Sequence, residues 1–479
     1  MKVIKYIFIL ITALFVTNAC TSFEELNTDP TRLDEANPGT FLNPILYGMA
    51  SYNWNRYNSY TFHVMQSVVS TSSTSGAGWW ILSDAAGDGT WTNYYKWLNN
   101  IEGMNKKAVQ YNEPNYIAIA STLKCWVYQI LTDAFGNIPM EEACKGDEQL
   151  YTPKFDKQAD IYKSMIAELD LANDMYDVTT GLKYNSSAEL LYGTSSTSSD
   201  GILKWKKFTN SLRMRILLRV LDVDGMNAAE ELKKMFDNPD KYPVFTSNEE
   251  SALLAISGVA PEEAPLTRPQ DFSSYKVYSE FFINPLNEWN DPRLPIFATK
   301  VTNDGVLGFY GIESGYSVLP SANASLPNQN FCKAPMKLMI MSYAEIEFIR
   351  AELAQKNIIV ANSKTAYENG VKAAATQVGA VIPDDYFENE KAAYDGTFER
   401  IMQQKFYSLF FCDYQQWFEY NRTGLPTIPR GSGIAQGNNM PKRFKYPASI
   451  QRTNMKNYQI AKEQMGGDEF SISLIWHKK

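Results

Sequence analysis

Ser342-Tyr343-Ala344-Glu345-Ile346-Glu347-Phe348-Ile349-Arg350-Ala351-Glu352 is the stretch whose reading decides the fold. Ser342 precedes Glu345 at the spacing of a capping box: the serine hydroxyl accepts from the backbone N–H of Glu345, and the glutamate reaches back to the serine N–H. Ile346, Ile349 and Leu353 then recur three and four residues apart, which lines them along one face of a helix. The stretch predicts a capped amphipathic helix over 342–354 with its apolar face buried.

The same pattern recurs on both sides. Lys204 to Val220 carries Trp205, Phe208, Leu212, Ile216 and Val220 on one stripe, with Arg213, Arg215 and Arg219 mostly off it. Asp156 to Tyr176 has Ile161, Met165, Leu169 and Ala172 in step, with Asp156 as the expected N-cap. Ala366 to Val378 and Phe398 to Cys412 are further amphipathic helices, the latter on Met402, Phe406, Leu409 and Phe410. Asp133-Ala134-Phe135-Gly136-Asn137-Ile138-Pro139 ends a helix, with Gly136 suited to a left-handed position and Pro139 barring continuation. Helices paired through short connections stack as hairpins, as in solenoids, although no fixed sequence period is visible. The fold class is mostly α.

Three stretches break the helical pattern: Ser70 to Thr92, Gly181 to Gly201, and Leu253 to Pro335, all rich in Ser, Gly, Pro or Asn. Connections of this length in a compact domain usually carry function, and their tryptophans and tyrosines argue against disorder. Asn27 to Asn43 reads as an extended lead-in, with turn signals at Asn27-Thr28-Asp29-Pro30 and Asn37-Pro38-Gly39.

The first residues address the chain to an envelope. Lys2 and Lys5 precede the apolar run Ile7 to Val16, about half the roughly 20 residues a bilayer span needs. That layout, with Ala19 before Cys20, reads as a signal peptide over residues 1–19. Cys20 is then the lipidated first residue of the mature protein, and acyl chains gain about 0.8 kcal/mol per buried methylene. The rival reading is an ordinary cleaved signal peptide followed by a free cysteine.

Composition excludes several functions. The net charge is −8 with no dense basic patch, which argues against nucleic acid. His63 and His477 are the two histidines of the chain, too few for a His-ligated metal site or a Ser-His-Asp triad. Cys125, Cys144, Cys332 and Cys412 have no CxxC spacing; disulfides and buried free thiols are both open. Asp222-Val223-Asp224-Gly225 starts like a calcium loop, but the twelfth position is Lys233, so a helix-ending turn is the reading. Glu141-Glu142 and Asp384-Asp385 are sequence neighbours and cannot face one another across a glycosidic bond. No cofactor and no metal is expected.

Aromatics make up 13 % of the chain, and some sit where no helical stripe explains them. Trp79 and Trp80 follow Ser75-Gly76-Ala77-Gly78. Sugar rings stack their C–H faces on aromatic planes and need amides and charges at the rim. Trp79 and Trp80 are therefore candidate ligand-binding residues, against the alternative that one plugs its loop onto the body. Phe309-Tyr310-Gly311 to Gly315-Tyr316, followed by Asn323, Asn328, Gln329 and Asn330, is the second candidate region, preceded by Arg268 and Asp271. From it Tyr310, Tyr316, Arg268 and Asn330 are candidate ligand-binding residues; the competing reading is a Gly-turned hairpin packed on the body. Trp91, Tyr94, Tyr95 and Trp97 read as core.

Taken in order, several blocks resemble the SusD/RagB-like family of nutrient-binding outer-membrane lipoproteins, in its SusD-like-2 branch. They are Phe23-Glu24-Glu25-Leu26-Asn27-Thr28-Asp29-Pro30, Thr132-Asp133-Ala134-Phe135-Gly136-Asn137-Ile138-Pro139, Lys204-Trp205-Lys206-Lys207-Phe208 and Asn290-Asp291-Pro292-Arg293-Leu294. The opening block at Ser342 is the most specific. Trp417-Phe418-Glu419-Tyr420-Asn421-Arg422-Thr423-Gly424-Leu425-Pro426 and Pro441-Lys442-Arg443-Phe444-Lys445-Tyr446-Pro447 follow it. The branch usually has a second Arg where Asn421 stands, and often doubles its last Trp where His477 stands. Arg350 and Arg422, beside Glu347 and Glu419, read as internal ion pairs.

The resemblance implies a tetratricopeptide-like helical-hairpin superhelix with long irregular loops and a few short strands, a single domain over 43–479 after an extended lead at 20–42. Its ligand-binding part would lie at about 70–92 and 253–335. It implies a palmitate-type anchor at Cys20, with Glu24 and Glu25 directing the protein to the outer face of the outer membrane. It implies no enzyme, but a protein that captures an oligosaccharide and delivers it to a SusC-like TonB-dependent transporter barrel. The rivals are a secreted glycoside hydrolase, which needs a facing carboxylate pair in a Trp79/Tyr310 cleft, and a helical-repeat scaffold that binds protein or peptide.

Overall fold

A computed structural model describes residues 36–478. The expected signal peptide, Cys20 and most of the lead lie outside the described residues. Helix α1 (Pro38–Arg56) opens the described chain. It begins inside the segment expected to be extended, because proline at a first helical position loses no hydrogen bond and brings its fixed φ. The helix continues through a π-helical turn, Tyr57–Thr61, and a short segment, Phe62–Val64.

Successive helices then pack on their neighbours: α2 (Asp88–Gln110), α3 (Pro114–Phe135), α4 (Gln158–Met175), α5 (Ile202–Arg219) and α6 (Ala228–Asp237). After the loop-rich middle, which holds α7 (Glu280–Glu288), a second group follows: α8 (Tyr343–Gln355), α9 (Ser363–Gln377) and α10 (Phe398–Ser408), with α8 also against α5. Helices α11 (Gln415–Thr423) and α12 (Met455–Met465) complete the major helices. The fold is mostly helical, and no helix among the described residues is long and apolar enough to cross a membrane.

Local chemistry sets the helix ends. Ser342 Oγ accepts from the Glu345 N–H at 3.3 Å, as half of the expected capping box. The other half is absent, because Glu345 turns to Arg215 and takes its guanidinium at 2.7 and 2.6 Å. A buried arginine needs a carboxylate more than a backbone N–H does. Asp156 does not cap α4; its Oδ2 accepts from the N–H groups of Met140 and Glu141 at 2.7 and 2.9 Å, and Lys157 occupies the cap. Helix α10 stops at Ser408, short of Cys412, where Phe411 and Asp413 turn left-handed with φ of 63° and 37°. Gly136 has φ 88° and ψ −122°, a positive-φ exit outside the left-handed helical region.

The interior couples apolar packing to an ion network. Arg219 of α5 donates to Asp133 of α3 at 3.0 Å and to Glu419 of α11 at 2.7 Å. Glu419 also accepts from Lys405 at 2.6 Å and Arg422 at 2.7 Å, and Arg422 forks onto Glu352 of α8 at 2.8 and 2.7 Å. Burial alone would push Glu419 up, but Arg422, Lys405 and Arg219 outweigh it and hold it well below the usual carboxylate range. This network ties α3, α5, α8, α10 and α11 together. Arg422 and Arg350, the latter 3.2 Å from Glu347, are the internal ion pairs expected. Cys125, Cys144, Cys332 and Cys412 are free thiols.

The segments expected to be irregular carry short structure. Strands β1 (Val68–Ser70) and β3 (Lys276–Tyr278) pair antiparallel, with Val68 opposite Tyr278. Strands β2 (Ala252–Ile256) and β6 (Met336–Met341) pair likewise. Strands β4 (Val301–Asn303) and β5 (Val306–Gly308) form a hairpin around Asp304-Gly305, both at positive φ, as a two-residue primed turn requires. The Ser70–Thr92 stretch ends in the first turn of α2. Trp91, Tyr94 and Trp97 are buried along that helix and Tyr95 packs against the core, as expected of core residues.

Candidate functional site

Three loops meet beside the β1–β3 pair. The first follows β1 and carries Trp79 and Trp80; the second runs from Ile312 to Tyr316; the third spans residues 430–438. They share a small apolar cluster, separate from the main core: Val69, Trp79, Ile312, Tyr316 and Ile434.

Trp79 and Tyr316 are each 2 % exposed. Their rings meet edge to face at 5.2 Å, and the Trp79 indole N–H donates to the Tyr316 carbonyl at 3.0 Å. The Tyr316 hydroxyl reaches back to the Ser70 carbonyl at 2.8 Å, and burial pushes this phenol up, so it stays a neutral donor. Each ring thus spends its polar handle on holding one loop to another.

Trp80 is presented differently. It has φ 54°, in the left-handed region, rare for so bulky a residue and costing on the order of 1–3 kcal/mol. A tight turn imposes this: the Trp80 N–H donates to Ala77 O at 3.1 Å, while those of Trp79 and Ile81 both reach Gly76 O at 3.0 Å. Gly76 itself sits at φ 91°. The Trp80 indole N–H donates to the Val64 carbonyl at 3.1 Å. With its polar atom satisfied internally, the half-buried ring offers apolar surface and the Arg430 guanidinium lies 5.6 Å from its centre. Ile81, next to Trp80 in sequence, and Val318 and Leu319, shortly after Tyr316, are exposed apolar residues.

The third loop is fastened by backbone. Gly433 N–H donates to Gly315 O at 2.8 Å, and Ser432 binds the Glu313 carboxylate through its N–H at 2.6 Å and hydroxyl at 3.0 Å. A Cβ on Gly431 or Gly433 would run into the carbonyls of Ser314 or Tyr316. Sequence reasoning missed this loop, and Arg430-Gly431-Ser432-Gly433 was its signal. Beside Ile312 opens a groove of about 500 Å³, lined by Val277, Ile312, Leu319, Asn323 and Leu326.

Of the six candidate ligand-binding residues, the structure brings Trp79, Trp80 and Tyr316 together. Tyr310 is half-buried on the β4–β5 flank, its hydroxyl 3.4 Å from Val306 O and its N–H on Ser325 Oγ at 3.0 Å. Arg268 is exposed and closed onto Asp271 at 2.9 and 3.1 Å. Asn330 lines another groove, with its Oδ1 held by Lys333 at 2.9 Å. Among the described residues, no group of three or more His, Cys, Asp and Glu side chains could hold a metal ion. Glu313 on this platform is committed to Ser432, and the arrangement offers aromatic and cationic contacts.

The sequence matches the SusD-like family described as "Starch-binding associating with outer membrane" over residues 30–447. No curated protein matches it by sequence. Among solved structures, a chitin-binding protein is similar at 25 % identity and a TM-score of 0.79, covering 92 % of this chain and all of its own. A SusD-like protein of Bacteroidetes AC2a is 21 % identical with a TM-score of 0.78, over 93 % and 100 % of the two chains. A SusD homologue from Bacteroides fragilis is 24 % identical with a TM-score of 0.73, over the same shares. On the match across most of its length, this chain belongs to the SusD-like family.

Proposed function

We propose that this protein binds a nutrient oligosaccharide on the Trp80 platform and passes it, chemically unchanged, to a SusC-like TonB-dependent transporter in the outer membrane. Cys20 carries the lipid anchor that keeps the binding body at the outer face of that membrane. The observation that carries the reading is Trp80 itself. Its backbone is held in the left-handed region and its N–H is spent internally, so the ring is left to a ligand face beside Arg430. A sugar ring would stack its C–H face on the indole, while Arg430, which also donates to Ala435 O, and Asn438, whose Nδ2 lies 3.4 Å from Trp79 O, take hydroxyls at the rim. Trp79 and Tyr316 act as supports, and Tyr310 flanks the site. Arg268, engaged by Asp271, and Asn330, in another groove, stand outside it. Membership of a family described as starch-binding supports a glycan ligand, as does likeness to a chitin-binding protein. Affinity about micromolar or weaker suits a protein that must release what it catches.

The test is to express the full chain with its genomic neighbour barrel and isolate the outer membrane. Acylated Cys20 by mass spectrometry, co-purification with the barrel and retention of the protein in glycan-containing native gels are the expected results. Release of new reducing ends from a glycan by the purified protein, or an unacylated Cys20, contradicts the reading.

A further inference from the structure

A second groove, of about 480 Å³, opens where α1, the residue 328–337 segment, the end of α9 and Phe410-Phe411 come together. It shares no lining residue with the Trp80 platform. Its volume falls within the range of ligand sites. Its walls are aromatic: Phe331 packs at 5.3 and 5.2 Å from the rings of Phe410 and Phe411, and Trp54 lies 4.7 Å from Phe411. Phe411 is held at φ 63°, a backbone setting that in a bulky residue marks over-determined, functional places.

Two features of the groove await a partner. Gln377 Oε1 is shielded from solvent and has no hydrogen-bond donor; its Nε2 has only the Met339 sulfur at 3.6 Å, a weak acceptor. A buried acceptor left open calls for a hydroxyl or N–H. The charged lining is wholly cationic: Lys333 and Lys337 line the groove and no carboxylate does, in a chain of net charge −8. Lys333 and Lys337 are both exposed, and neither takes part in an ion pair among the described residues.

We propose that this groove is a separate binding site for an anionic oligosaccharide, its sugar faces against Phe331, a hydroxyl on the Gln377 amide as that side chain turns from the Met339 sulfur into the groove, and its carboxylate or sulfate between Lys333 and Lys337. Aromatic faces suit sugar rings, the orphaned acceptor suits a hydroxyl, and paired lysines without acids suit an anion. The inference does not depend on the glycan reading of Trp80.

Calorimetric titration of the purified protein with tetragalacturonate and with a sulfated heparin tetrasaccharide tests it, in wild type and in Trp80→Ala. Expected is binding of at least one probe that weakens with added salt and persists in Trp80→Ala. It should fall about tenfold or more in the Lys333→Ala/Lys337→Ala double variant and about fivefold in Gln377→Met. Both changes lie at the groove wall, so melting temperature checks that folding is intact. Failure of both probes to bind overturns the proposal. So does binding lost in Trp80→Ala yet untouched in the lysine variant, or capture of an acidic hexapeptide but of neither saccharide.

Discussion

The indole N–H of Trp79 donates to the carbonyl of Tyr316 at 3.0 Å, joining two loops 237 residues apart in the chain. That bond and the edge-to-face contact around it make the ligand platform a fixed surface rather than a set of mobile loops. The adjacent Trp80 is positioned by this anchor. A preorganised site loses less ordering entropy on binding, which matters where one stacked ring supplies much of the contact.

Trp79→Ala is therefore expected to act on stability and binding together. Removing a buried tryptophan costs about 3–5 kcal/mol, so thermal unfolding should shift down and glycan binding should be lost with it. Trp80→Ala should abolish binding while leaving the melting temperature close to wild type, since its ring is only half-buried. A paired melting and binding measurement separates the two.

Gly433→Ala tests the seam between the second and third loops. The added methyl has no room against the Tyr316 carbonyl, and the obstacle is backbone that cannot swing aside. The expected outcome is displaced Arg430 and weaker glycan binding with the helical core intact. Hydrogen exchange should rise at residues 313–317 and 430–434 and nowhere else.

Glu419 serves three buried cations, so Glu419→Gln should be far more damaging than a surface charge change. Breaking a buried ionic cluster from one side costs about 3–5 kcal/mol, readable as a lower denaturation midpoint. Glu419, Glu352 and Asp291 are held below the ordinary range, against the effect of their burial, by Arg422 and neighbouring cations for the two glutamates and by Arg293 for the aspartate. Their stabilisation is present above the unfolded carboxylate values and is lost as pH falls through the lowered folded ones.

Asp413 titrates the other way. Burial pushes its carboxyl up to about 7, with Arg215 opposing. Between the unfolded value near 4 and 7 the folded state holds the proton more tightly, so this residue's contribution to stability declines as pH rises across that window. Asp413→Asn, which keeps an oxygen for Gln415 Nε2 at 3.0 Å, should raise the melting temperature at pH 8 and change little at pH 4.

Helices were legible in the sequence wherever burial was one-sided, since a three-and-four spacing such as Ile161, Met165, Leu169 and Ala172 is a property of neighbours in the chain. What was hidden depended on distant partners. Glu345 has the position of a capping-box residue, and only Arg215, 130 residues away, diverts it. Trp79 and Trp80 are adjacent and chemically identical, yet one is plugged by Tyr316 and the other presented by a turn at Gly76. The 430–438 loop carries no aromatic to draw attention, and its role rests on glycines whose missing side chains let Ser314 and Tyr316 approach. Asn330 lies near Tyr316 in sequence, but between them the chain leaves the apolar cluster, bridges Pro327 to Ala298 and delivers Asn330 to the Phe331 groove.

Glycan binding on Trp80 is tested most directly by calorimetric titration of the wild-type protein and Trp80→Ala with starch- and chitin-derived oligosaccharides. Wild type is expected to bind at least one of them at about micromolar to millimolar strength, and Trp80→Ala, with an unchanged melting temperature, is expected not to bind. Undiminished binding in Trp80→Ala, or no binding of any neutral oligosaccharide by the wild type, would contradict glycan binding on Trp80.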